Sequence, residues 1–119
     1  MQKWSVDTIQ QIKEYVGHAT QMRNLNVSDV ADHFGMSVSL IGYKFKKATN
    51  GTLSDYITEK KFEYACKLLV AEEYSIKEIS YMMGYGNPGG FIRRFKQLYG
   101  VTPQEYRRGK RQTYVEKAL

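Results

Sequence analysis

The 119-residue sequence is long enough for one domain with a buried core and too short to add a second large module. Its 18 Lys and Arg exceed its 12 Asp and Glu, and the formal charge of +6 favours a polyanionic partner, either nucleic acid or an anionic membrane surface. No apolar run approaches the roughly 20 residues of a membrane span. The amino terminus lacks the basic-then-apolar layout of a secretion signal, and the single cysteine, Cys66, cannot form an internal disulfide. A soluble, cytoplasmic protein is expected.

Apolar residues recur at three- and four-residue steps and only two prolines occur, so the expected class is all-α. The first helix is expected from Val6 to Gly17, with Ile9, Ile12 and Val16 on one stripe and Trp4 packed just ahead of it. Asn26 and Asp29 form a capping box that opens a helix whose buried side is Val27, Val30, Ala31 and Phe34. Gly35 turns the chain, and Ser37 caps a further helix over Val38 to Ala48, where Leu40, Ile41, Lys44 and Phe45 recur at helical spacing. Helix, glycine turn and helix together make a helix-turn-helix layout.

Thr52 with Asp55 is a second capping box. Behind it, Leu53, Tyr56, Ile57, Tyr64, Ala65, Leu68 and Leu69 trace one stripe over about five turns, which makes this the longest helix and a connector. Ser75 with Glu78 opens a short helix bearing Ile76, Ile79, Met82 and Met83 and ending at Gly84. Asn87 caps the next helix, which runs to Leu98 or Tyr99 and stops at Gly100. Thr102, Pro103 and Glu105 supply the cap, first-turn proline and capping-box partner of a last helix.

The informative feature is an internal repeat. Val27, Asp29, Val30, Phe34 and Gly35 match Ile76, Glu78, Ile79, Met83 and Gly84, each 49 positions on. Phe45 and Lys46 match Phe95 and Lys96 at a spacing of 50, so the second copy has one extra residue near Tyr85 and Gly86. Paired helices alone are common, but cations on both second helices (Lys46 and Lys47; Arg93, Arg94 and Lys96) favour a phosphate-facing surface over packing. The whole basic excess lies from Phe91 onward: eight Lys and Arg against Glu105 and Glu116, leaving the first 90 residues balanced. The partition expected is a single domain over 1–119, with a first helix-turn-helix unit over 7–49, a connector over 52–72, a second unit with terminal helix over 75–108, and a basic tail over 109–119.

The second unit and its sequel, with Ile76, Ile79, Gly84, Tyr85, Phe91, Arg93, Phe95, Lys96, Gly100, Val101, Thr102, Pro103, Tyr106 and Arg107, resemble the AraC (arabinose-operon regulator) type of bacterial transcription regulator. In that type a Gly-aromatic turn leads to Phe-x-Arg-x-Phe-Lys and then Gly-x-Thr-Pro-x-x-Tyr-Arg. The resemblance covers roughly Ile9 to Arg108. It implies a fold of about seven helices, two helix-turn-helix units joined by a long helix, binding to double-stranded DNA, and regulation of transcription, most often activation involving RNA polymerase. A sensing or dimerisation module usually accompanies such a domain, so the chain is expected to be one piece of a longer protein and a monomer in isolation.

Carried over by position, the base-facing residues are Ser39, Gly42 and Tyr43 in the first unit and Gly89, Gly90, Ile92 and Arg93 in the second. Family members commonly place Arg where Tyr43 stands, a side chain where Gly90 stands, and a small polar residue at Gly42. Arg93 is expected to grip guanine O6 and N7. Tyr43 is suited to a base edge or a phosphate and Ile92 to a thymine methyl, although either also suits packing. The glycines suit either close approach of the backbone to DNA or a surface that has given up side chains usual in the family and reads DNA shape instead. Ser37, Lys46, Lys47, Asn87, Arg94 and Lys96 are assigned to phosphates, and Arg107, Arg108, Lys110 and Arg111 either extend that clamp or solvate a frayed end.

An enzyme is disfavoured. His18, His33 and Cys66 lack metal-ligand spacing, no cofactor motif occurs, and Met82, Met83 and the tyrosines fit a core better than a cofactor box. The remaining alternative is a helical protein-interaction or non-specific nucleic-acid-binding module. RNA is disfavoured because the aromatics fall mostly on buried stripes rather than on a stacking surface.

Overall fold

The computed structural model describes residues 6–22 and 24–109; Trp4, Lys110, Arg111 and Lys117 lie outside the described residues. The fold is all-α. The helices are α1 (Val6–Ala19), α2 (Val27–His33), α3 (Val38–Thr49), α4 (Leu53–Ala71), α5 (Ile76–Met82) and α6 (Pro88–Tyr99), followed by a seventh, α7, at 103–109 among the described residues.

The chain divides into two compact units, Met1–Lys61 and Phe62–Leu119, and the boundary falls inside α4. The expected connector therefore supplies core to both units. Leu53 and Ile57 join Ile12, Val16, Leu25, Val30, Ala31, Ile41 and Phe45 in the first core. Phe62, Ala65, Cys66, Leu68 and Leu69 join Ile79, Met83, Phe91 and Phe95 in the second. Within the first unit Lys61 Nζ donates to Asn24 Oδ1 at 2.9 Å, tying α4 to the loop before α2. In the second, Phe62 stacks on Phe91 with centroids 5.6 Å apart, and Phe95 meets Tyr99 and Tyr106 at 4.6 and 5.4 Å. Burial, and after it the neighbouring Cys66, push the phenols of Tyr99 and Tyr106 well above the usual tyrosine range.

The helix starts follow from the capping residues. Reciprocal capping boxes form at Asn26 with Asp29 and at Ser75 with Glu78. Thr102 with Glu105 forms a third, and the hydrogen bond from the Thr102 amide holds the Glu105 carboxyl below its ordinary value. At Thr52 only one half of the expected box is recorded, the Asp55 amide donating to Thr52 Oγ1 at 3.0 Å.

Some residues read as core lie outside it. Tyr81 is 49% exposed and Met82 38%; Leu40, whose facing the helical spacing left open, is 43% exposed. The reason is geometric: Ile41 and Phe45 take the inner face of α3, and Ile79 and Ser80 of the two-turn α5 with its C-cap Met83 are buried, so neighbours about 100° away are turned out. The phenylalanines at 45, 62, 91 and 95 are buried, whereas no tyrosine is fully buried among the described residues. Phe34 and the tyrosines at 15, 56, 64, 85 and 106 are half-buried and pack against the two cores, the tyrosine hydroxyls reaching toward the surface, whereas Tyr43, Tyr74, Tyr81 and Tyr99 are exposed.

Candidate nucleic-acid interface

Each unit builds its outward face on a hinge of the same design. At the end of α2, the amides of Phe34, Gly35 and Met36 donate to the carbonyls of Val30, Asp32 and Ala31 at 3.1, 3.1 and 2.9 Å. At the end of α5, Met83, Gly84 and Tyr85 donate to Ile79, Tyr81 and Ser80 at 2.9, 2.9 and 3.0 Å. The pattern is bond for bond the same at an offset of 49, and it depends on φ of +67° at Gly35 and +91° at Gly84, the left-handed region that glycine enters without strain.

The extra residue of the second copy is Gly86, which separates the Tyr85 hinge bond from the cap Asn87; in the first copy Met36 runs directly into Ser37. From the caps onward the offset is 50. The Leu40 amide donates to Ser37 Oγ at 3.1 Å and the Gly90 amide to Asn87 Oδ1 at 3.4 Å. Asn50 and Gly100 end α3 and α6 with φ of 69° and 80°, their amides donating to Lys46 and Lys96 carbonyls at 2.8 Å. The repeat continues beyond the sequence match: Phe45 packs on Tyr56 with centroids 5.6 Å apart, as Phe95 packs on Tyr106 at 5.4 Å.

With Ile41 and Phe45 inward, Ser39, Leu40, Tyr43, Lys46 and Lys47 fall within one outward sector of about 120° on α3. All five are exposed, Tyr43 most clearly at 60%. Lys47 Nζ lies 5.8 Å from the Tyr43 ring centre, a cation over an aromatic face one turn away. Gly42 sits at the sector's edge, and a Cβ there would meet nothing within 4 Å.

The same sector of α6 holds Gly89, Gly90, Arg93, Lys96 and Gln97, with Ile92 at its edge. Arg93 and Lys96 are exposed. A Cβ on Gly89 would lie 3.1 Å from Asn87 Oδ1, the capping oxygen, and in ordinary contact with Arg93 Nη1 at 3.5 Å, so the guanidinium lies along the first turn of α6. Gly90 differs from the sequence expectation, because a Cβ there would lie 3.1 Å from Tyr85 Cδ1. Its open face is occupied by a ring that also packs near Phe62 and Phe91. Burial raises the Tyr85 phenol, partly opposed by Arg94. Ile92 is half-buried and packs on the second core. Arg94 is half-buried and donates to Gln97 Oε1 at 3.3 Å.

Ser37 and Asn87 use side-chain oxygens as caps, which leaves a hydroxyl hydrogen on one and an amide NH₂ on the other to donate outward. Arg107 is committed inside the second unit. Its Nε donates to the Leu69 carbonyl at 2.8 Å and its Nη2 to the Tyr74 carbonyl at 2.6 Å, so it closes the carboxy-terminal end of α4. No sequence signal pointed to this role. Helical spacing alone did not say which way Leu40 faces, although its equivalence at offset 50 to Gly90 places it on the outward sector.

Comparison with known proteins agrees with this geometry. A family described as a helix-turn-helix domain matches residues 30–109, about two thirds of the chain. The chain belongs to the AraC-type helix-turn-helix family. Members of this family bind DNA and regulate transcription, and they are not enzymes. The chain is 38% identical over 85 residues to the xylose operon regulatory protein of Escherichia coli K12, covering 71% of this chain and 22% of that one. The solved structure of a xylose-binding transcription activator is similar with a TM-score of 0.73 and 32% identity, covering 90% of this chain and 28% of that one. The carboxy-terminal domain of a two-component response regulator from Fusobacterium nucleatum superposes with a TM-score of 0.74 at 26% identity, covering 85% of this chain and 98% of that one. The chain thus spans between a fifth and a third of the two full-length sugar regulators. No helix of the described residues is long and apolar enough to cross a membrane.

Proposed function

We propose that this AraC-type domain binds double-stranded DNA sequence-specifically. In this reading α3 and α6 enter successive major-groove segments of one duplex, α4 serves as connector, and the binding activates transcription in the bacterial cytoplasm through contact with RNA polymerase. The observation that carries the reading is the twice-built hinge, each copy followed by a helix whose outward sector bears cations. Two reading helices on one chain make a symmetric partner unnecessary, so the isolated domain binds as a monomer.

The roles follow from exposure. Arg93 takes guanine O6 and N7 together, a contact worth about 1–3 kcal/mol of discrimination. Tyr43, its counterpart at offset 50, meets the base edges from α3 beside Ser39 and Gly42. Lys46, Lys47 and Lys96 meet phosphates, with Ser37 and Asn87 donating from the helix starts and Arg94 at the margin. Gly89 faces the bases beside the Asn87 cap, while Gly90 and Ile92 contribute more to packing than the family pattern implies.

The test is competition binding with duplex DNA, single-stranded DNA and structured RNA, followed by a salt titration. Duplex should win, and the four phosphate-facing cations should give a slope of log affinity against log salt of about −4. Arg93→Ala should relax preference at one base pair. Uniform weakening over all sequences would remove Arg93 as a reader, and a slope near zero would remove the electrostatic mechanism.

A further inference from the structure

Building on the DNA-reading role above, we infer that Leu40 is a specificity-determining residue and that α3 reads thymine C5-methyl groups, so the two units take chemically different half-sites. The inference starts from an asymmetry. Leu40 is an aliphatic side chain turned out on α3, 43% exposed, beside Tyr43 at 60%. Its counterpart on α6 is Gly90, whose outward space is filled by the Tyr85 ring, with the Arg93 guanidinium lying along Gly89 instead. The first turns of the two helices therefore offer different chemistry: hydrocarbon and hydroxyls on α3, a guanidinium on α6.

The major groove presents donors, acceptors and one apolar group, the thymine methyl. Leu40 has no polar atom with which to meet the first two, so the methyl is the feature it can recognise. The cations of the outward sector cannot substitute for it at that end: Lys44, one turn on, is half-buried outside that sector, and Lys46 and Lys47 are six and seven residues further on, about 9–10.5 Å along the axis at 1.5 Å per residue. There they suit phosphates, and their presence on the same outward sector marks the polyanion as what covers Leu40. Ser39 and the Tyr43 hydroxyl add donors and acceptors on either side of the aliphatic contact.

The experiment begins with duplexes selected by the 119-residue chain from a random library. Each thymine of a selected duplex is then replaced in turn by deoxyuridine, which lacks only the C5 methyl. At least one replacement in the half-site read by α3 should weaken binding about fourfold, the worth of one buried methyl. The same replacement should have no effect on Leu40→Ala, whose folding is checked by circular dichroism. Binding that is specific but indifferent to every deoxyuridine, or equally sensitive in Leu40→Ala and wild type, would overturn the assignment and leave the DNA-reading role standing. No sequence preference at all would overturn the reading role itself, and Leu40's role with it.

Discussion

The two units share a skeleton and differ on their surfaces. Hinge amides, left-handed helix ends and the Phe–Tyr contact behind each second helix recur at offsets of 49 and 50. Facing outward, Tyr43 stands opposite Arg93 in the repeat, and Leu40 opposite a glycine roofed by Tyr85. Buried positions constrain each other through packing, and an alteration there costs several kcal/mol. Outward positions are free to change with the duplex they read. The comparison teaches that scaffold and specificity are separable in this chain, with the seam between them running along the length of α3 and α6.

The strongest way to break the comparison is to open each core at the equivalent place. Phe45→Ala and Phe95→Ala should each cost about 3–5 kcal/mol in urea unfolding. Native-state hydrogen exchange should show Phe45→Ala loosening first-unit amides before second-unit amides, with the reverse for Phe95→Ala. Equal loosening of both units by either variant would contradict separate cores.

Arg107 tests a feature without a first-unit counterpart, since Ile57 occupies the equivalent place at offset 50. Arg107→Ala removes two charge-assisted hydrogen bonds to backbone carbonyls and should destabilise the second unit by about 1–3 kcal/mol. Arg107→Lys should not restore it, because an ammonium cannot span both acceptors as the guanidinium fork does. If Arg107→Ala left thermal unfolding unchanged but weakened DNA binding, the residue would be a phosphate clamp after all.

The glycines sharpen the comparison at the smallest scale. Gly42→Ala faces open space and should stabilise the fold by about 1 kcal/mol, the helix-propensity difference. Gly90→Ala must push the Tyr85 ring by a few tenths of an ångström, so the same gain should be largely cancelled. Unfolding midpoints measure both. If Gly42→Ala stabilises the domain yet weakens DNA binding, the duplex approaches the α3 backbone closely at that point.

Much of the fold was legible because its punctuation is local. Asn26, Ser37, Ser75, Asn87 and Thr102 announce helix starts through side-chain oxygens, and Gly35, Gly84 and Gly100 announce the ends through the backbone region they permit. The internal offset was also legible, down to the single inserted residue. Two kinds of feature were not. Met82 looked like core, and the facing of Leu40 stayed open, because three- and four-residue spacing does not say which of two adjacent apolar residues faces inward. Arg107 and Tyr85 act across 38 residues and across the hinge, on the Leu69 carbonyl and on Gly90, and sequence alone gives no spacing rule for such contacts.

The most direct test of the central claim, that α3 and α6 read one duplex in tandem, is selection of bound sequences from a random duplex library followed by respacing of the recovered motif. The account predicts a two-part motif with its parts about one helical turn, 10–10.5 base pairs, apart. It further predicts that inserting about five base pairs between the parts abolishes binding, because one part is then turned to the far side of the duplex. A motif of one short block, or a two-part motif indifferent to the insertion, would contradict it.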